Sequence, residues 1–121
     1  MPDGKGKPNG KGKPNGKGRP PPQVFTLIVQ VGRSPDDGLP DGATGAALLC
    51  YASGHDEEEA VRETVNVLRQ ADMAPLEVES LGSRAEREAA GDEIDPEDRA
   101  LMDRALAENA VLVVSVTTFD D

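Results

Sequence analysis

Residues 46–72 read AALLCYASGHDEEEAVRETVNVLRQAD, and the hydrophobic period changes within them from 2 to 3.6. Ala46–Ala52 (AALLCYA) is short, apolar and followed by Ser53-Gly54, which predicts a buried strand. Asp56 then offers a capping carboxylate, and Glu59 three residues on completes a capping box. Glu57, Glu58 and Glu59 complement the positive end of a helix dipole. Ala60, Val61, Thr64, Val65, Leu68 and Ala71 form one apolar stripe, with Glu63, Asn66, Arg69 and Gln70 largely outside it. The helix should end near Asp72, because Pro75 disfavours helical geometry at Ala74. A strand running directly into an amphipathic helix is the unit of an α/β domain.

Working outward, Val24–Val31 (VFTLIVQV) is β-branched and almost wholly apolar, and predicts a first buried strand. The segment Gly32–Gly45 between these strands holds Gly, Pro and Asp, and reads as a long loop. Leu76, Val78 and Leu81 interrupt Glu77 and Glu79, which suggests a third strand with one wet face at a sheet edge. Ser83–Ala90 could form a short helix. Asp95-Pro96 is a helix start, with a capping carboxylate followed by proline at the first helical position. Leu101, Met102, Ala105 and Leu106 give that helix its buried side, and Asn109 can end it. Ala110–Phe119 (AVLVVSVTTF) reads as a last, central strand.

The order is therefore β-β-α-β-α-β. The expected fold is an α/β (α+β) two-layer sandwich: one mixed four-stranded sheet with two helices packed on one face. Helical crossovers between strands 2 and 3 and between strands 3 and 4 favour parallel neighbours. Strand 1 should run antiparallel to one of the others. A ferredoxin-like sandwich would need a mid-chain β-hairpin that the sequence does not show.

Charge divides the chain sharply. A hexad Gly-Lys-Gly-Lys-Pro-Asn occurs at 4–9 and again at 10–15, followed by Gly-Lys-Gly-Arg-Pro at 16–20. Residues 1–23 carry Lys5, Lys7, Lys11, Lys13, Lys17 and Arg19 against Asp3, a net +5, while the chain as a whole is −10. The remaining 98 residues thus carry −15 and contain no lysine. With almost no apolar side chain to bury, residues 1–23 are expected to be a disordered tail, and 24–121 one small α/β domain. Pro20-Pro21-Pro22 is a stiff spacer between the two. As a coil, the tail would reach roughly 25 Å r.m.s., enough to touch much of its own acidic body. Only Phe25, Tyr51 and Phe119 are aromatic, so the core must be aliphatic.

The single cysteine, Cys50, excludes an intramolecular disulfide and fits a reducing compartment. No apolar run approaches the roughly 20 residues of a membrane helix, and no apolar stretch backs the basic N-terminus as a secretion signal would require. The expected setting is cytoplasmic, with no membrane partner. Arginine in place of lysine throughout the body fits a GC-rich bacterial genome.

No motif identifies a reaction, and the sequence assigns no catalytic residue, no metal and no cofactor. If strands 2, 3 and 4 are parallel, their C-terminal ends gather Ser53, His55, Ser83, Thr117 and Thr118, a candidate ligand-binding cluster at the edge where open α/β sheets bind ligands. His55 is the only histidine, with Asp56 and Asp120 as candidate orienting carboxylates. A Cys50–His55 nucleophilic pair conflicts with strand alternation, which points Cys50 into the packing. Asp36, Asp37 and Asp41 could hold a hard cation, but Asp-Gly and Pro-Asp pairs are turn formers. Glu86–Asp98 (EREAAGDEIDPED) lacks an EF-hand's spacing and reads as a solvated acidic face.

The favoured function is a small non-catalytic protein-interaction module, using its acidic face or an exposed strand edge, with another, basic protein as partner. Strand pairing across a two-fold axis offers a homodimer. One alternative is a nucleic-acid-associated accessory protein working through the tail alone. Without aromatics among its cations, such binding would be sequence-independent and salt-sensitive. The other alternative is a small ligand-binding regulator or enzyme built on the cluster around His55.

Overall fold

The computed structural model describes residues 20–120. The elements are β1 (Gln23–Gly32), β2 (Ala43–Gly54), α1 (Glu57–Gln70), β3 (Ala74–Ser83), α2 (Arg84–Ala89), α3 (Pro96–Glu108) and β4 (Val111–Asp120). The α/β class, the single four-stranded sheet and the β-β-α-β-α-β order hold, with the short α2 inserted where residues 83–90 suggested it.

Strand order is β3-β1-β2-β4, and every neighbouring pair is antiparallel. The sheet is therefore not mixed. β2 and β3 do run in the same direction, as a helical crossover favours, but β1 lies between them. β1 is antiparallel to both of its neighbours, because β1 and β2 form a hairpin and β3 joins the hairpin's free side.

The two longer helices also lie on opposite faces, not on one. Phe25, Leu27, Val29 and Val31 of β1 and Ala46, Leu48, Cys50 and Ala52 of β2 pack with Ala60 and Leu68 of α1. Val24 and Tyr51, which alternate with those residues, pack with Met102 and Ala105 of α3. Successive strand side chains point to opposite faces, so the two clusters lie on opposite sides of the sheet. The reason is legible in β1 itself. A strand apolar at consecutive positions needs cover on both faces.

Local signals place the helix ends. Asp56 caps α1, its Oδ1 accepting from Glu59 N at 2.8 Å. The return bond of the expected capping box goes one residue further back, with Glu59 Oε1 accepting from His55 N at 2.7 Å. α1 stops at Gln70, and Asp72 follows in the left-handed region (φ 64°). Asn109 ends α3 in the same way (φ 49°).

The 33–42 segment is a built turn. Asp37, only 5% exposed, accepts from Ser34 N at 2.8 Å and Leu39 N at 2.9 Å, and pairs with Arg33 Nε at 3.0 Å. These backbone bonds, followed by the guanidinium, hold its carboxyl below the ordinary aspartate range.

Candidate functional site

The candidate cluster is only partly assembled. β2 and β3 are parallel, so Ser53 and Ser83 both lie at one end of the sheet, and His55 follows Gly54 there. Thr117 and Thr118 do not join them. β4 runs antiparallel to β2 and brings Thr117 opposite Ala47 and Thr118 opposite Ala46, near the start of β2. From Ala110, whose carbonyl receives Ser53 N, to Thr117 the strand rises roughly 23 Å. The expected site therefore fails on strand direction for two of its five residues.

Two open clefts share His55. One, about 560 Å³, runs between α1 and the start of β4 and is lined by Ser53, His55, Glu59, Glu63, Val67, Asn109, Ala110 and Val111. The other, about 510 Å³, is lined by Pro20, Gln23, Phe25, His55, Asp56, Glu57, Ser83, Ala85 and Glu86. His55 Nδ1 lies 2.9 Å from Glu59 Oε1. The orienting carboxylate is thus Glu59, not Asp56 or Asp120, and it is the same group that binds the His55 amide. Ser83 is a helix cap. Its Oγ accepts from Glu86 N at 3.1 Å, and its own N–H donates to Glu86 Oε1 at 2.8 Å, a complete capping box for α2. Ser53 is buried, and its Oγ has no hydrogen-bond partner among the described residues. No hydrogen bond joins Ser53 to His55 among the described residues, so the pair lacks the geometry of an activated nucleophile.

Cys50 is fully buried among Leu27, Leu48 and their neighbours, and desolvation pushes its thiol up to about 11. A thiol so protonated is inert at neutral pH. Among the described residues no group of three His, Cys, Asp or Glu side chains is arranged to hold a metal ion.

The acidic stretch after β3 is stitched by arginines. Arg87 pairs with Asp92 at 3.0 Å, Arg99 with Glu88 at 2.7 Å and Arg84 with Asp103 at 2.6 Å. Arg87 also donates to Thr26 Oγ1 of β1 at 3.0 Å, which ties α2 to the sheet. Tyr51, buried beneath α3, has its hydroxyl pushed above the usual range by burial and by Asp98 beside it. Exposed pairs of this kind contribute little to stability, but they spend several of the carboxylates that the sequence offers to a partner.

The sequence also misplaced β4. It reads as central, yet it is an edge strand whose residues 115–120 are all exposed. Val113, Val116 and Phe119 are 43%, 49% and 41% exposed, and no charge occurs on the strand before Asp120. Nothing in the apolar run distinguishes an uncovered strand from a buried one, so no sequence signal would have found it.

Taken together, these features define an acidic α/β domain with one open, uncharged sheet edge. The chain belongs to the family described as Domain of unknown function (DUF8846), which matches residues 24–120. No curated protein and no solved structure matches it. No helix among the described residues is long and apolar enough to cross a membrane.

Proposed function

We propose that this chain is a small non-catalytic protein-interaction module whose docking element is the outer edge of β4. The observation that carries this reading is the outer half of the strand, exposed from Ser115 and uncharged as far as Phe119. Natural proteins blunt exposed sheet edges with charges, proline or short length, and long apolar edges are templates for strand addition. The −15 of residues 24–121 favours a basic partner and opposes nucleic acid. Lys5, Lys7, Lys11, Lys13, Lys17 and Arg19 lie outside the described residues. In this reading they tune solubility or tether the domain to an anionic surface in a bacterial cytoplasm.

The test is affinity capture by the full chain, wild type against Thr117→Lys, with bound proteins identified at low and high salt. The expected result is a partner that wild type retains, that Thr117→Lys loses, and whose binding weakens in salt. Equal capture by both chains would remove β4 from the interaction. Capture of nucleic acid that disappears on deleting residues 1–23 would favour the accessory-protein alternative instead. A measured activity abolished by His55→Ala would revive the ligand-site alternative.

A further inference from the structure

Resting on the reading of β4 as a docking edge, but with a second copy in place of a basic protein as its occupant, we propose that β4 pairs with β4 of that copy. The two strands pair antiparallel about a two-fold axis perpendicular to the sheet at Thr117, to give one continuous eight-stranded sheet.

Three observations select this arrangement. The first is charge. Each chain is net negative, so two copies approach most favourably where neither presents charge, and Val111–Phe119 is such a strip. The opposite edge, with Glu77 and Glu79 exposed on β3, would set carboxylates against carboxylates.

The second is parity. A two-fold axis perpendicular to a sheet keeps every side chain on its own face, so paired residues must share a face. Ser115, Thr117 and Phe119 pair with Leu49, Ala47 and Gly45 of β2, and share one face. Val116 and Thr118 pair with Leu48 and Ala46, and share the other. Between Leu49 and Cys50 the register shifts, Ser115 facing the first and Val113 the second, so alternation breaks at Val114. A second shift, between Gly45 and Ala43, lies opposite Phe119 and Asp120, so regular self-pairing is confined to residues 115–119. Centring it on Thr117 uses the longest regular stretch, setting Ser115 against Phe119, Val116 against Thr118 and Thr117 against itself.

The third is the strand's own complementarity. Threonine–threonine and valine–threonine pairs are favourable cross-strand neighbours. In this register Asp120 falls beyond the regular pairs at both ends. The two Asp120 residues are then roughly 20 Å apart along the strand, well past the screening length of about 8 Å at physiological salt. The contact is short, so association in the micromolar range is expected rather than an obligate dimer.

The experiment is sedimentation of the full chain over about 5–500 μM, with oxidative crosslinking of single-cysteine substitutions. Cys50 is buried with its thiol raised to about 11, so an introduced cysteine reacts alone. Expected are a concentration-dependent dimer in wild type, rapid disulfide dimer formation by Thr117→Cys, and much slower formation by Thr118→Cys, whose neighbour across the axis is Val116. Thr117→Lys should sediment as a monomer with an unchanged circular dichroism spectrum. Should that variant fail to fold, the two cysteine variants still decide the register. A wild type that stays monomeric throughout overturns the inference. So does a dimer that persists in folded Thr117→Lys, or crosslinking equal at positions 117 and 118. A monomer that nonetheless loses a captured partner on Thr117→Lys would leave the docking edge standing with a foreign strand as its occupant. A monomer that captures nothing through β4 removes both.

Discussion

Both edge strands are ten residues long, and they meet solvent in opposite ways. β3 carries Pro75 near its start and exposed Glu77 and Glu79, and its ladder to β1 is interrupted twice, between Thr26 and Leu27 and between Gln30 and Val31. β4 reaches Asp120 before it presents a charge, and although its ladder to β2 is also shifted twice, residues 115–119 between the two shifts are regular. Proline, carboxylates and bulges are the devices that keep a free edge from pairing. One edge is closed to strand addition and the other is open. The apolar character of β4 therefore serves two ends: Val111, Leu112 and Val114 pack on the core, while Val116 and Phe119 lie at the surface.

The largest effect that would break this comparison comes from truncating the same chemistry in the two settings. Leu27 is fully buried at the centre of the sheet, and Leu27→Ala should cost about 2–5 kcal/mol. Val116 is 49% exposed, and Val116→Ala should change stability by about 0.5 kcal/mol or less. Urea unfolding of residues 1–121 measures both. A loss at Val116 approaching that at Leu27 would mean that β4 is covered in the folded chain, and the open edge would be lost as a premise.

The sequence disclosed more of the core than of its boundary. Strand and helix positions followed from period, caps and proline. Val24–Val31, Asp56, Pro96 and Asn109 each marked what they now form, although Asp95 stands at the start of α3 without a side-chain capping bond. Strand neighbours did not follow, because pairing is a long-range choice that leaves no local trace. The polar alternation of residues 76–81 correctly indicated an edge, since a wet face is written in side chains. The apolar run of residues 110–119 misled, since exposure is decided by what lies alongside. The ligand cluster failed for the same reason. Reversing β4 relative to β2 carries Thr117 and Thr118 to the far end of the strand, while Ser53, His55 and Ser83 stay together.

The two serines at the His55 end of the sheet separate a structural role from a binding one. Ser83→Ala removes the cap of α2, at the point where β3 ends, and should cost about 1 kcal/mol. Ser53 buries a hydroxyl without a partner, so Ser53→Ala should be neutral or stabilising, by up to about 1–3 kcal/mol. Thermal melts should therefore fall for Ser83→Ala and hold level or rise for Ser53→Ala. A destabilised Ser53→Ala would show that this hydroxyl has a partner in solution, and the cleft beside His55 would regain its claim as a binding site.

Acid should act on the end of the sheet where β4 finishes. Arg33 Nη1 donates to the Ala43 carbonyl at 2.6 Å, and Ala43 pairs with Asp120. Asp37 holds Arg33 and the turn between them. Its folded pKa is lowered, so the carboxylate contributes stability that is fully present above the unfolded value of about 3.9. That contribution is lost as pH falls through the lower folded value. Protection of the Ser34 and Leu39 amides, taken relative to their intrinsic exchange rates, should fall below about pH 4, and Asp37→Asn should weaken that dependence. Unchanged protection down to the acid transition of the whole domain would detach the turn from the support of β4.

The smallest change in stability carries the sharpest comparison. Glu79 is exposed on β3, and Glu79→Val should alter unfolding by no more than about 0.5 kcal/mol, because a surface residue away from caps and ion pairs is being exchanged. It would nevertheless leave Val78, the new valine and the exposed Leu81 in near succession, a strand resembling β4 in polarity. If carboxylates close this edge, the variant should associate in a concentration-dependent way that wild-type β3 does not support, seen as added mass in sedimentation beyond any dimer formed through β4. Performing the exchange in the Thr117→Lys background isolates the new edge from the old one. If the double variant remains monomeric, the Glu79 carboxylate alone is not what closes β3. The closure would then lie in the remaining Glu77, in Pro75 and in the two breaks in its ladder, which leave a partner strand a shorter regular run than residues 115–119 of β4.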